Sequence, residues 1–109
     1  MKNVILIMSA DISLLEINSK IWLIDGTFNL CEANFVLTVI LALINDVYIP
    51  ILFVLSSRPS QDTYNYMWYF IKRRCSNVDP QVILCDFEQG LQNSLRLHFN
   101  KALIKGKLK

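Results

Sequence analysis

The apolar residues of this chain fall into short runs with two different periods. Residues 4–8 form a compact apolar run that predicts a short strand. Over residues 10–18, Ile12, Leu14, Leu15 and Ile17 stand among polar neighbours, which predicts a short helix. Residues 21–25 are apolar up to an acid, Asp25, with Gly26 immediately after. That segment reads as a buried strand that stops at a turn. Residues 34–44 and 47–56 are rich in β-branched and aromatic side chains. Asn45 and Asp46 between them suit a two-residue hairpin turn, because both tolerate positive φ. Residues 21–56 are therefore expected to form a three-stranded antiparallel meander.

The period then changes. Pro59 and Ser60 signal a helix start. Tyr64, Met67, Trp68, Ile71 and Cys75 follow at i, i+3, i+4, i+7 and i+11, the single apolar stripe of a core-facing helix. Residues 77–80 break it. Residues 82–86 repeat the earlier motif, an apolar run closing on an acid, here Asp86. A second helix places Leu91, Leu95 and Phe99 on one face, and residues 102–104 begin another strand. A meander followed by helix, strand, helix and strand belongs to the α/β class.

Composition bounds the reading further. A chain of 109 residues suits one domain that buries a core without metals or disulfides. Hydrophobic residues make up 53% and charged residues 18%, against about 45–50% and about 25% in ordinary domains. This argues against disorder. It favours elements buried on both faces, or a fragment whose surface was covered in something larger. The apolar stretch over residues 35–55 approaches the length of a bilayer span, but Asn45, Asp46 and Pro50 interrupt it. A charge there costs about 2.5–3.5 kcal/mol even on a lenient insertion scale, so two strands meeting at a turn explain it better than a membrane helix. Cys31, Cys75 and Cys85 form no Cys-x-x-Cys pair and lie in or beside apolar runs, which predicts buried free thiols. The net charge of +2 names no partner. Lys72, Arg73 and Arg74 form a basic run, and Lys101, Lys105, Lys107 and Lys109 make the tail basic. Such clusters attract phosphate, which makes Lys72, Arg73 and Arg74 candidate nucleic-acid contacts. A solvated helix end gives the same pattern.

The two acids carry the candidate chemistry. Ile21, Leu23 and Asp25 share one strand face, as do Val82, Leu84 and Asp86. If the two strands are parallel neighbours, their ends lie about 4.8 Å apart. Open α/β sheets bind ligands at the carboxyl ends of their strands. Two carboxylates there repel unless a cation intervenes, and Mg²⁺ suits oxygen ligands. Plainer readings exist. Asp86 can be a helix N-cap, with Gln89 completing a capping box. Glu88 can serve the helix dipole in the first turn. His98, late in its helix, reads as dipole placement or packing rather than catalysis.

Five blocks in order resemble one family. Trp22-Leu23-Ile24-Asp25-Gly26-Thr27-Phe28 looks like the first acid block of MULE-type (Mutator-like) transposases. Tyr48, Pro50, Phe53, Val54 and Leu55 resemble the next block, and Thr63-Tyr64 with its aromatic-rich helix the one after. Residues 80–93, with Asp86-Phe87-Glu88, resemble the second acid block. Leu103-Ile104-Lys105-Gly106 resembles the approach to a Cys-x-x-His motif. The resemblance implies an RNase H-like fold and a DDE-type mechanism. It makes Asp25 and Asp86 catalytic acids that hold Mg²⁺ or Mn²⁺, the DNA of transposon ends the substrate, a homo-oligomer the working form and the nucleus the place of action. It divides the chain into a lead-in over residues 1–20 and a partial catalytic domain over residues 21–109.

Departures from the family pattern temper that expectation. Lys107 stands where the cysteine belongs, and no Asp or Glu follows Glu88. The third acid and the C-terminal part of the fold are therefore expected to be missing, and the chain alone to have little or no transposase activity. The alternative is a domesticated or decayed transposon-derived binding module with no catalysis. Asp25-Gly26-Thr27 also resembles the tail of the haloacid dehalogenase motif, but Leu23 occupies the nucleophile position. A proofreading exonuclease wants an acid where Thr27 stands.

Overall fold

Strand β1 (Val4–Ser9) opens the chain, and β2 (Ile21–Leu30), β3 (Phe35–Ile44) and β4 (Val47–Ser56) follow it. Helix α1 (Gln61–Arg74), β5 (Val82–Cys85), helix α2 (Gln89–His98) and β6 (Leu103–Gly106) complete the order. The structure, a computed structural model, describes residues 4–9, 12, 20–30, 35–57 and 60–106. Apart from Ile12, the helix expected over residues 10–18 lies outside the described residues, as do Cys31, Pro59, Lys107 and Lys109.

The strands form one six-stranded sheet in the order β1-β4-β3-β2-β5-β6. Strands β2, β3 and β4 are the antiparallel meander that the pattern predicts. Asn45 (φ 51°) and Asp46 (φ 66°) make its hairpin turn, with the left-handed backbone that a two-residue connection needs. The long apolar stretch is thus a hairpin, and among the described residues no helix is long and apolar enough to cross a membrane. Strand β5 pairs parallel with β2, and β6 parallel with β5. Strand β1, from the lead-in, joins the same sheet antiparallel to β4.

Both helices follow their apolar stripes. Ser60 caps α1, its side chain accepting from the Thr63 N–H at 3.4 Å. Tyr64, Met67, Trp68, Ile71 and Cys75 are all buried beneath α1, and Leu91, Leu95 and Phe99 beneath α2. These residues join Trp22, Ile24, Ile83 and Cys85 of the sheet in one cluster. Phe99 sits at its centre, edge-on to Trp22 (5.2 Å) and to Trp68 (5.8 Å), the T-shaped arrangement aromatic rings prefer. Cys75 and Cys85 are buried free thiols.

One boundary differs from the sequence reading. Strand β2 does not stop at Asp25 but continues to Leu30. Phe28, Asn29 and Leu30 pair with Leu37, Val36 and Phe35, so β3 supplies the partner that keeps β2 extended past the Asp-Gly step.

Candidate functional site

Asp25 stands on β2 where the ladder with β3 slips. It pairs with Val39, but Phe28 pairs with Leu37, so Gly26 and Thr27 together oppose Thr38. This is a β-bulge, a device that bends a strand and re-aims its side chains, often beside a functional site. Gly26 makes no turn there. Its φ is not positive, and a Cβ would meet Thr38 Oγ1 at an ordinary 3.6 Å.

Asp86 lies one residue beyond β5. The parallel register of β2 and β5 pairs Ile21 with Val82, Trp22 with Ile83 and Leu23 with Leu84, each pair 61 residues apart in sequence. Asp25 and Asp86 are separated by the same 61 residues. The paired register runs through Leu23 and Leu84; Asp25 lies two residues further along β2, which continues to Leu30, and Asp86 lies two residues further along the chain, one past the end of β5. Both are partly exposed. Lys105 on β6 pairs with Leu84, which places it on the strand face of Leu84 and Asp86.

The backbone turns sharply after Asp86. The Glu88 N–H donates to the Asp86 carbonyl at 2.9 Å, an i to i+2 bond that makes a γ-turn. Phe87 at the apex is 81% exposed. The helix then begins at Gln89 with Glu88 as its N-cap, so Asp86 is not the cap and forms no capping box with Gln89. Three residues, Asp86, Phe87 and Glu88, lie between strand end and helix, which removes Asp86 from the capping position. Glu88 makes no side-chain cap either. Its Oε2 accepts from the Tyr64 hydroxyl at 2.8 Å. Burial above all, then this hydrogen bond, then the charges of Glu88, Asp86 and Cys85 push the Tyr64 hydroxyl well above the ordinary phenol range. Tyr64 thus stays a neutral donor at the edge of the acid turn. Sequence reasoning took Tyr64 as core alone. The signal available was its phenol, since a buried tyrosine hydroxyl needs a polar partner.

The basic run lies elsewhere. Lys72, Arg73 and Arg74 close α1, while Tyr64 meets Glu88 at the helix start, eight residues and about 12 Å away along the axis. Lys72 Nζ donates to the His98 carbonyl at 2.6 Å and sits 4.9 Å from the Phe99 ring centre. Arg73 lies over Tyr69 and Arg74 over Phe70, and with Tyr66 these residues line a groove of about 440 Å³. The fold pairs the strands that lead to the two acids and leaves the basic run at the other end of α1.

Among the described residues, no group of three or more His, Cys, Asp or Glu side chains converges as a metal cage. Carboxylate oxygens are the ligand type that Mg²⁺ and Mn²⁺ take. Mg²⁺ usually takes one or two carboxylates and completes its shell with water and substrate phosphate oxygens.

No family model and no curated protein matches the sequence. A chain in the solved structure of the simian T-cell lymphotropic virus intasome, in complex with PP2A regulatory subunit B56 gamma, is similar in fold. Its TM-score is 0.57 at 13% identity, over 85% of this chain and 33% of that one. This chain therefore spans about a third of the length of that neighbour. A likeness at this identity speaks for the fold alone.

Proposed function

We propose that this chain is part of an RNase H-like catalytic domain of the DDE type, related to MULE transposases, in which Asp25 and Asp86 hold Mg²⁺ or Mn²⁺ for DNA strand cleavage and transfer. One observation carries the reading. The strands that carry or lead to the two acids of the family blocks, β2 and β5, are parallel neighbours, paired through Leu23 and Leu84 two residues before each acid. The sheet, with a meander ahead of two parallel crossover strands, supports an RNase H-like core. The fold likeness to a chain of a viral intasome complex supports a relation to DNA integration and transposition at a coarse level.

A bound divalent ion would supply activation of a water and neutralisation of the leaving oxygen in phosphodiester cleavage. The chain's own residues do the rest. Asp25, beside the bulge in β2, and Asp86, at the γ-turn after β5, are the two carboxylates this reading assigns to the metal. Lys105 offers a cation on the same face for a substrate phosphate. The sequence holds no carboxylate after Glu88, so these residues supply two of the three acids that a DDE mechanism uses. Metal binding, rather than strand transfer, is the property to seek in the chain alone.

The test is a Mn²⁺ titration followed by the electron paramagnetic resonance of the free ion. The wild-type chain should bind, and Asp25→Asn and Asp86→Asn should each weaken binding by about tenfold or more. Equal binding by wild type and Asp25→Asn would remove Asp25 from the site.

A further inference from the structure

Helices α1 and α2 meet near their N-terminal ends around one polar contact. The hydroxyl of Tyr64, a residue only 3% exposed, donates to Glu88 Oε2 at 2.8 Å. The Glu88 N–H in turn closes the γ-turn on Asp86. The backbone around this contact is tightly packed. A Cβ on Gly90 would come within 3.2 Å of the Gln61 nitrogen, and Ser94 bonds Asn65 further along the two helices. Tyr64 is therefore a fixed point from which the acid turn hangs.

The turn has other neighbours as well. Strand β5 holds it on one side. Beyond its own backbone bond, Gln92 Nε2 reaches the Asp86 carbonyl only at 3.5 Å. Phe87 at the apex is 81% exposed, with one side of its ring against Gly106 of β6. The second carboxylate oxygen of Glu88 accepts no hydrogen bond among the described residues. The Tyr64 contact ties the turn to α1, alongside its links to α2.

We infer that Tyr64 is a positioning residue for the metal-binding acids. Acting through Glu88, it holds the Asp86-Phe87-Glu88 turn in shape and keeps Asp86 beside Asp25. The inference rests on the metal-site reading above. Residues that orient metal ligands typically change metal affinity by about 10–100-fold when removed.

The experiment measures Mn²⁺ affinity of the full chain by paramagnetic resonance, with a thermal melt of each metal-free variant alongside. Tyr64→Phe removes only the hydroxyl, and Glu88→Ala removes the acceptor. Each should weaken Mn²⁺ by about tenfold or more. The double variant should bind no worse than either single one, because both remove the same link. Glu88→Gln keeps an oxygen that accepts from Tyr64, so its affinity should stay within about threefold of wild type. Wild-type affinity in Tyr64→Phe overturns the inference. So does a loss in Glu88→Gln equal to that in Glu88→Ala, since the Glu88 charge would then act directly. If Tyr64→Phe fails to fold, the contrast between Glu88→Ala and Glu88→Gln decides alone. Asp25→Asn separates the two levels. If it binds like wild type, the metal-site reading falls and this inference with it; if it loses Mn²⁺ while Tyr64→Phe does not, only the positioning role falls.

Discussion

Strands β2 and β5 present two different surfaces one residue apart. Trp22, Ile24, Ile83 and Cys85 are at most 1% exposed, sealed beneath the two helices. Their neighbours Ile21, Leu23, Asp25, Val82, Leu84 and Asp86 are all partly exposed. The covered face is selected for volume. It buries the indole N–H groups of Trp22 and Trp68, which have no hydrogen-bond partner among the described residues, at a cost of about 1–3 kcal/mol each. The other face carries Asp25 and leads to Asp86, carboxylates that keep contact with solvent. The difference teaches that period-2 alternation lets one pair of strands separate stability from chemistry. Substitutions on the two faces should therefore fail in different ways.

The largest contrast lies between adjacent residues of β2. Ile24→Ala empties a sealed site and should cost about 2–5 kcal/mol. Leu23→Ala acts on the partly exposed face and should cost about 1 kcal/mol, a fraction of the ~1.5–3 kcal/mol for a fully buried leucine. Urea unfolding of the two variants measures both. Equal losses would erase the distinction between the faces.

Metal addition sharpens the comparison from the other side. At ten times its dissociation constant, Mn²⁺ should stabilise the folded chain by about 1.4 kcal/mol through mass action. For a domain near this size that is a rise of roughly 5–10 °C in melting temperature. Asp25→Asn should lose the rise while keeping the core under the helices intact. A rise of the same size in that variant would detach the metal from this face.

The covered face was readable because its spacing is local. Tyr64, Met67, Trp68, Ile71 and Cys75 repeat at helical intervals, and each is buried. Asn45-Asp46 carried its turn chemistry in two residues. The parallel pairing of β2 with β5 was also readable, because each apolar run leads to an acid at the same parity. The extension of β2 past Gly26 was not, since its cause is the pairing that β3 offers, and a tertiary partner overrides a local stop signal. The Tyr64–Glu88 bond joins residues 24 apart, so the partner was not readable locally, although the buried phenol called for one. The arginine stacking is an intermediate case. Arg73 on Tyr69 and Arg74 on Phe70 are i, i+4 pairs on one helix, a spacing that predicts contact.

A smaller effect tests the support of the helix layer. Ser60→Ala removes the side-chain acceptor for the Thr63 N–H at the start of α1 and should cost about 1 kcal/mol. Urea unfolding should show a lower midpoint with an unchanged slope, because the core under α1 stays packed. A loss above about 2 kcal/mol would mean that the cap holds more than the first turn of α1.

The smallest effect concerns pH at the far end of the helix layer. His98 closes α2, where the helix dipole favours a cation. Its pKa nonetheless lies below the usual 6.5, held down first by burial and second by Lys72. Lys72 Nζ donates to the His98 carbonyl, so the lysine, rather than the imidazole, answers the negative end of α2. Asp79 and Lys101 line the same cleft. With its folded pKa lowered, the unfolded chain binds the proton first as the pH falls. Stability from this group is full above about pH 6.5 and is lost as the pH drops toward the folded value. His98→Gln should therefore lose less stability than wild type between about pH 7.5 and about pH 5, with the carboxylates common to both chains cancelling in the difference. Lys72→Met should shrink the loss in the same direction, because it lifts the His98 pKa toward normal. Urea midpoints at the two pH values measure both differences. A steeper loss in His98→Gln would reverse the sign and place a raised pKa at this helix end.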